Sequence, residues 1–198
     1  MEDFSRYLPK YFDSKAEGYV LPLGDSPKDK EDYGKNALLS IIENSKDYVY
    51  MMSPYLILED QIILTMINAS KRGIDVRICL PHIPDKKIAF ALAKTHYKQL
   101  LENGVKIYEY TPGFCHSKTW LSDDSSGFVG TINLDYRALY LNYECGVLMN
   151  ETKAISQMRE DFDVFFNIAT EINLEDLANI SPIEKAIGFV AKPFATLF

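Results

Sequence analysis

An imidazole, an ammonium group, a hydroxyl and a carboxamide occur at close spacing within residues 115–133, CHSKTWLSDDSSGFVGTIN. Side chains along a β-strand alternate between its two faces, so His116 and Lys118 share one face, and Thr131 and Asn133 share a face of the next strand. A two-residue turn would place His116 opposite Asn133 and Lys118 opposite Thr131, whereas a longer loop would shift this pairing. The spacing therefore predicts one polar patch built by two neighbouring strands.

Such a patch suits attack on a phosphodiester. Lys118 would neutralise the phosphate charge, and Thr131 and Asn133 would donate hydrogen bonds to the non-bridging oxygens. A neutral imidazole is a competent nucleophile near pH 7, so His116 is the candidate to attack phosphorus. Glu144, on the third strand of this region, is the candidate acceptor that would fix the tautomer of His116.

Two further positions complete the pattern. Asp123 lies five residues after Lys118, an odd offset that places it on the opposite face or in the turn, so we interpret it as structural. A His-x-Lys triplet on an isolated strand is typical of a solvated face. The catalytic interpretation depends on the joint occurrence, at fixed spacing, of His116, Lys118, Asp123, Gly130, Thr131 and Asn133.

Strand and helix patterns alternate upstream of this patch. We expect strands at 18–24, 48–55, 75–81 and 105–110, helices at 35–47, 59–73 and 85–104, consecutive strands at 116–122, 127–133 and 141–149, and a helix at 151–166. Apolar residues recur at helical spacing in the helices, and a glycine closes two of them. The alternation predicts an α/β domain at 18–172, between an N-terminal extension at 1–17 and an apolar C-terminal tail at 173–198.

Composition restricts the partners that we expect. The chain of 198 residues is 47% hydrophobic, enough for a packed core, and carries 28 acidic against 21 basic residues, a net charge of −7. This balance argues against extended binding of nucleic acid, which depends on neutralising phosphates with Lys and Arg. Cys79, Cys115 and Cys145 have no paired spacing and are expected to be free thiols. No stretch approaches the roughly 20 apolar residues of a bilayer span, so we expect this chain to be soluble by itself.

The joint pattern of these residues resembles the phospholipase D superfamily motif, H-x-K-x4-D-x6-G-[ST]-x-N, and meets every position of it. The flanking stretches YKQLLENGVKIYEYTPGFCHSKT and GTINLDYRALYLNYECGVLM are similar to the C-terminal half of bacterial cardiolipin synthases, over nearly all of residues 18–170. The resemblance implies the phospholipase D-like fold, a mixed β-sheet flanked by helices on both faces.

The resemblance also implies a reaction. Phosphatidylglycerol, or a related phospholipid, would give a phosphatidyl-histidine that a second phosphatidylglycerol converts to cardiolipin, at the cytoplasmic face of the bacterial membrane. No metal or cofactor is expected, because Lys118 and its counterpart supply the positive charge. Members of this family carry two motifs and this chain carries one, so a missing N-terminal half or a second copy must complete the site. We interpret His82 as a loop residue near the site mouth and His96 as a helix-surface residue.

Alternatives remain open at this point. Two copies of His116 facing each other across a two-fold axis would give a homodimeric phosphodiesterase or nuclease, and a chain that has lost its partner half would be a non-catalytic module. Lys86 and Lys87 follow a predicted strand and are candidates to contact an anionic headgroup, or belong to a solvated first helical turn. Residues 182–198 either lie in a membrane interface or pack on their own domain.

Overall fold

The computed structural model describes residues 4–8, 10 and 15–197, and its strands follow the short apolar runs of the sequence. They are β1 (Tyr19–Asp25), β2 (Tyr48–Met52), β3 (Leu56–Ile57), β4 (Asp75–Pro81), β5 (Lys106–Tyr110), β6 (Thr119–Ser122), β7 (Ser126–Gly130), β8 (Leu134–Asp135), β9 (Glu144–Asn150) and β10 (Thr170–Ile172). The α-helices are α1 (Tyr33–Asn44), α2 (Asp60–Lys71), α3 (Lys87–Glu102), α4 (Ala154–Ile168) and α5 (Pro182–Ala191). Shorter turns of helix occupy Phe4–Tyr7, Arg137–Leu141, Leu174–Asn179 and Lys192–Leu197.

Eight strands form one mixed sheet in the order β1-β9-β7-β6-β2-β4-β5-β10. The central strands β2, β4 and β5 are parallel, and the helices α2 and α3 connect them, as parallel pairs require. The remaining pairs of this sheet are antiparallel. β3 and β8 form a separate parallel pair beside the main sheet.

Helices cover both faces of the sheet, which explains why all five residues of β2 are buried. On one face, α1, α2 and α3 pack over a cluster that includes Trp120, Phe128 and Tyr97. On the other face, α4 buries Phe162 and Phe165 against tyrosines of β2 and β5. The predicted fold class, a mixed sheet with helices on both faces, is therefore confirmed.

The β6–β7 hairpin differs from the predicted register by one residue. Ser122 pairs with Ser126 across a three-residue loop, and the N–H of Gly130 donates to the carbonyl of Lys118 at 3.1 Å. Lys118 thus lies opposite Gly130, and the expected pairs His116–Asn133 and Lys118–Thr131 are wrong. The extra loop residue allows the Asp123 carboxylate to reach the start of β2.

The expected strands around the motif are also shorter. β6 begins at Thr119 rather than at 116, and residues 131–133 leave β7 and lead directly into β8. The N–H of Leu134 donates to the Ser53 hydroxyl at 3.0 Å, and Ser53 is fully buried at the end of β2. This bond holds the segment after β7 against the centre of the sheet.

His96 does not lie on the helix surface as expected. His96 lies on α3 with its side chain buried. This burial, followed by the charge of Lys192, lowers the pKa of His96 to about 4. His96 is followed at position 98 by a lysine, but on a helix residues i and i+2 do not share a face, so this pair does not form a second site.

The segments expected to flank the domain are described in part. Of the predicted extension 1–17, the structure describes 4–8, 10 and 15–17. The predicted tail 173–198 contains the helical segments Leu174–Asn179, Pro182–Ala191 and Lys192–Leu197, and α5 packs on α3. No described helix is both long and apolar enough to cross a bilayer.

Candidate active site

The motif residues other than Asp123 meet at one edge of the sheet, where the parallel strands β2, β4 and β5 end. β6 runs antiparallel to β2, so the residues that precede Thr119 lie beside Met52, the last residue of β2. β7 returns antiparallel to β6 and delivers residues 131–133 to the same edge, where β9 begins with Glu144. Carboxyl ends of parallel strands are the usual location of sites in α/β sheets.

His116 and Lys118 are in direct contact. The Lys118 Nζ lies 2.9 Å from His116 Nδ1 and 3.0 Å from Nε2, and it donates to the His116 carbonyl at 2.8 Å. The Lys118 side chain is only 9% exposed, whereas His116 is exposed to solvent. The Phe114 ring, centred 5.5 Å from the imidazole, covers one side of it. A phosphate oxygen bound to the ammonium would therefore lie next to the imidazole nitrogens.

The surroundings of these two groups favour the neutral imidazole. Desolvation, followed by the neighbouring Lys118 ammonium, lowers the pKa of His116 below its ordinary value. Desolvation also lowers the pKa of Lys118, although Glu144 and Asp135 act in the opposite direction. Because a protonated imidazole has no lone pair for attack, a lowered pKa extends the pH range in which His116 can act as a nucleophile.

Thr131 and Glu144 form a second contact at the same edge. The Thr131 hydroxyl donates to the Glu144 carboxylate, and it accepts from the N–H of Cys145 at 3.0 Å. The other carboxylate oxygen accepts from the side-chain amide of Asn142 at 3.0 Å. In the described part of the chain no hydrogen bond joins Glu144 to His116, so the expected pairing with the imidazole is not formed in this structure.

Asn133 carries an unsatisfied polar atom into the site. Its side chain lies close enough to the Asp135 carboxylate to lower the pKa of that group, against the desolvation that raises it. Its Oδ1 is buried and has no hydrogen-bond partner among the described residues, so it is available to accept from a bound group.

Asp123 lies at the other end of β6, away from the imidazole. Its carboxylate accepts the backbone N–H groups of Lys46, Asp47 and Tyr48 at 2.8–2.9 Å. Although burial alone would raise its pKa, these three donors hold the pKa below its ordinary value. Its contacts thus support the structural role that we assigned to it.

Gly130 lies where strands and an aromatic ring crowd together. A Cβ at this position would lie 2.5 Å from both the Cys145 carbonyl oxygen and Phe128 Cζ. The Phe128 ring is itself stacked on Trp120 with centroids 4.1 Å apart, so it cannot easily move. A glycine here lets β7 pass close enough to β9 to place Thr131 beside Glu144.

Comparison with known proteins shows the family of the chain. The family described as "Cardiolipin synthase, PLD-like domain" matches residues 38–165. The chain belongs to this family.

Relatives in this family are longer than the chain. An uncharacterized protein of Streptococcus mutans is 43% identical over 98% of the chain, which spans 42% of that protein. A cardiolipin synthase of Halalkalibacterium halodurans is 34% identical over 86% of the chain, which spans 34% of that enzyme. The chain thus spans less than half the length of these two relatives.

Solved structures support the phospholipase D-like fold. A phospholipase D family member, Nuc from Salmonella typhimurium, covers 79% of the chain and 99% of its own length with a TM-score of 0.66 and 21% identity. The phosphatidylserine synthase of Haemophilus influenzae covers 96% of the chain and 48% of its own length with a TM-score of 0.70 and 14% identity. At these identities the likeness concerns the fold, which is the predicted one.

The structure places two acidic residues near the site that the sequence analysis did not identify. Asp135 is 4% exposed and lies two residues after Asn133, and its desolvation raises its pKa. Asp85 accepts the Tyr55 hydroxyl at 2.6 Å, and its charge acts on His116. Asp135 could have been identified from the sequence, because an acidic residue two positions after Asn133 lies on the same face of an extended segment. Asp85 lies in a loop distant in sequence and gave no such signal.

The loop after β4 also carries residues that we had considered. Lys86 lies 5.2 Å over the Tyr55 ring, and its charge acts on both His116 and Asp135, so it approaches the site. The exposed His82 follows β4 and bonds through Nδ1 to the buried Glu109 at 2.6 Å.

Proposed function

We propose that this chain supplies one half of the active site of a cardiolipin synthase-like phosphatidyltransferase. Its family and the contact between His116 and Lys118 support this proposal. The ammonium group binds the phosphate of phosphatidylglycerol and keeps its phosphorus beside a neutral imidazole.

The proposed reaction has two displacements at the same phosphorus. In the first, an imidazole nitrogen forms the N–P bond, the P–O bond to the glycerol headgroup breaks, and glycerol leaves with a proton from a general acid. In the second, the hydroxyl of another phosphatidylglycerol attacks phosphorus and loses its proton to the same group, and the N–P bond breaks. The products are cardiolipin and the free histidine.

Lys118 has a different role before and after the phosphate binds. In the structure its ammonium occupies the space beside both ring nitrogens of His116. When a phosphate oxygen takes over the contacts of the ammonium, the phosphorus is held next to the imidazole nitrogens. Negative charge that develops on the non-bridging oxygens then strengthens the same contact.

A second half is required by the chemistry. An alkoxide is a poor leaving group, and an imidazole that attacks phosphorus cannot protonate it at the same time. His82 is bonded to Glu109 and His96 is buried, so neither is placed to serve as this acid. We therefore propose that a second motif, from the missing half or from another copy, provides the partner histidine.

Glu144 remains our proposed partner for an imidazole. Its carboxylate is engaged by Thr131 and Asn142, but it lies close enough to act on the charge of Lys118. It can orient His116 after leaving Thr131, or orient the histidine that the second half brings to this edge. Either contact fixes one tautomer and stabilises the imidazolium that forms during turnover.

Reconstitution tests the proposal. The purified chain is mixed with the remainder of the longer Streptococcus mutans relative, and release of glycerol and formation of cardiolipin from phosphatidylglycerol micelles are measured. We expect little activity from the chain alone and clear activity from the mixture. His116→Ala should abolish the gain, and Lys118→Met should lower it about 10²–10³-fold, the cost of losing one preorganised charge. His82→Ala is the matched control and should retain the activity.

Other outcomes contradict the proposal. Cardiolipin formation by the chain alone as a monomer would refute the need for a second half. Hydrolysis of a generic phosphodiester by a dimer of the chain, without transfer to phosphatidylglycerol, would favour a homodimeric phosphodiesterase. The mixture that contains His116→Ala can also be incubated with labelled phosphatidylglycerol. If acid-labile label still becomes attached to protein, the nucleophile lies in the other half.

A further inference from the structure

The last described helix leaves an apolar surface uncovered. We define the tail surface as the side chains of Ile88, Ile187, Val190, Phe194 and Leu197, which are 39–66% exposed. Together with Ala186 and Ala191 they line a groove of about 560 Å³ that contains no polar residue. Contiguous exposed apolar patches of this kind mark interaction sites rather than ordinary protein surface.

The tail surface is held rigidly on the domain. A Cβ on Gly188 would lie 2.5 Å from the Ala91 carbonyl oxygen, so the two helices are in close contact at this point. One turn earlier, Glu184 pairs with Lys94 of α3 at 3.0 Å. The inner residues Ala191 and Ala195 pack on a small cluster formed by Ile57, Ala89 and Leu92. Ile187 and Val190 are therefore presented by a helix that is packed on the domain, and Phe194 and Leu197 by the turn of helix that continues it.

The direction of α5 brings this surface to the catalytic edge. Glu184 contacts position 94, Gly188 contacts position 91, and Ala191 packs near position 89, so α5 runs antiparallel to α3. α3 begins just after the loop of Lys86, whose charge acts on His116. The far end of α5 therefore lies beside the loop that approaches the imidazole, and near β8, which directly follows Asn133.

Lysines border the tail surface although the whole chain is acidic. Lys86 and Lys87 precede Ile88, whereas Lys185 and Lys192 line a second groove on the other flank of α5. The one acidic residue between 182 and 197 is Glu184, which is paired with a lysine. Apolar side chains flanked by lysines are the pattern of a helix that lies in the interface of an anionic bilayer.

We propose that the tail surface docks on an anionic phospholipid bilayer and turns the His116 edge toward the headgroups. This inference rests on the proposed function and deepens it, because it names the surface by which the site reaches a lipid that does not leave the membrane. The lysines give the surface a preference for anionic headgroups that a hydrophobic partner protein would not need. Because α5 does not span a bilayer, this contact is parallel to the membrane plane.

Vesicle binding tests the inference without any need for catalysis. The chain is sedimented with vesicles of phosphatidylglycerol and phosphatidylcholine, and with vesicles of phosphatidylcholine alone. We expect binding to the anionic vesicles, and a loss of at least about tenfold in partitioning for Val190→Asp with Phe194→Asp, because both residues would bury apolar area in the interface. Lys185→Gln with Lys192→Gln should weaken binding to the anionic vesicles by about tenfold or more.

The matched control carries the same added charge elsewhere. Leu64→Asp with Val20→Asp replaces two exposed apolar residues of α2 and β1, and should keep partitioning within about twofold. Thermal unfolding of each variant shows whether it is folded. The replaced side chains are exposed, so all variants should melt close to the wild-type chain.

Three results would overturn the inference. The wild-type chain could fail to bind anionic vesicles, or the Val190 and Phe194 double variant could bind as well as the control. Sedimentation velocity could instead show a wild-type dimer that the double variant loses, which would assign the surface to a second copy of this chain. If the reconstituted mixture transfers phosphatidyl groups on micelles but the chain does not bind vesicles, the docking alone is refuted. If the chain binds vesicles but the mixture shows no transfer, the proposed function alone is refuted.

Discussion

The Asp123 carboxylate should contribute to folding and not to chemistry, although it belongs to the motif. It fastens the β6–β7 loop to the start of β2 through the N–H groups of Lys46, Asp47 and Tyr48. Five residues of extended chain, about 16 Å at 3.3 Å per residue, separate it from Lys118. Asp123→Asn changes the charge at this point while it keeps the size of the side chain.

The magnitude follows from the three contacts. An asparagine keeps one acceptor oxygen, which can still serve Asp47 and Tyr48, but it turns an N–H₂ group toward the N–H of Lys46. A hydrogen bond to a charged group contributes about 1.5–3 kcal/mol. Water reaches part of this loop and replaces some of the loss, so we expect the free energy of unfolding to fall by about 2 kcal/mol. Asparagine also tolerates the positive φ of 54° at this residue, so backbone strain adds little.

The pH dependence has a defined sign. The pKa of Asp123 is lower in the folded chain than its ordinary value of 3.8, because of the three backbone donors and in spite of burial. The unfolded chain therefore binds the proton first as the pH falls. The stabilising contribution is complete above about pH 4 and is lost as the pH falls through the folded pKa, so wild type and variant should converge in strong acid.

Urea denaturation at pH 7 measures the effect, with glycerol release by the reconstituted mixture as the second readout. Asp124→Asn is the matched control. The Asp124 carboxylate is 64% exposed, lies 3.7 Å from Arg159 and accepts the Tyr48 hydroxyl at 2.5 Å, a bond that the asparagine oxygen can still accept, so we expect a loss below about 1 kcal/mol. Both variants should keep wild-type activity below their unfolding transitions. An Asp123→Asn variant of unchanged stability but without activity would refute the structural assignment.

Two further predictions concern packing and pH. Gly130→Ala should lower the free energy of unfolding by about 1–3 kcal/mol in urea denaturation, because the new methyl group has no space, whereas Gly24→Ala meets no atom within 4 Å and should be nearly neutral. His96 is neutral in the folded chain with a pKa of about 4, lowered by burial and Lys192 against the charge of Asp60. The unfolded chain alone binds this proton between about pH 6.5 and pH 4, so stability should fall by roughly 2–3 kcal/mol over that range, and His96→Gln should flatten the profile.

Much of the fold could be predicted because local patterns agree with the final packing. The helices at 60–71 and 87–102 follow apolar spacing that ends at a glycine, and β4 coincides with the predicted strand at 75–81. These elements lie in the α/β part, where a strand buried on both faces has a continuous apolar run. In such elements the local preference and the tertiary environment favour the same structure.

The register of the hairpin could not be predicted because a distant contact determines it. A two-residue turn suits the local sequence, yet the Asp123 carboxylate binds N–H groups that lie 75–77 residues away along the chain. Asp123 and Asp124 both adopt positive φ angles to make this contact possible. Asp85 escaped prediction for the same reason, since only the folded sheet brings its loop near His116.

Two observations on this edge of the sheet fit our proposal that a second half completes the site. The imidazole of His116 is exposed and its nitrogens are in contact with Lys118 alone among the described side chains, and the buried Oδ1 of Asn133 has no donor. A chain that had lost its function would gain stability by satisfying such an atom or by exposing it to water, because an unpaired buried oxygen costs about 1–3 kcal/mol. A substrate hydroxyl or a group from the proposed second half would satisfy this oxygen, which lies close to the Asp135 carboxylate.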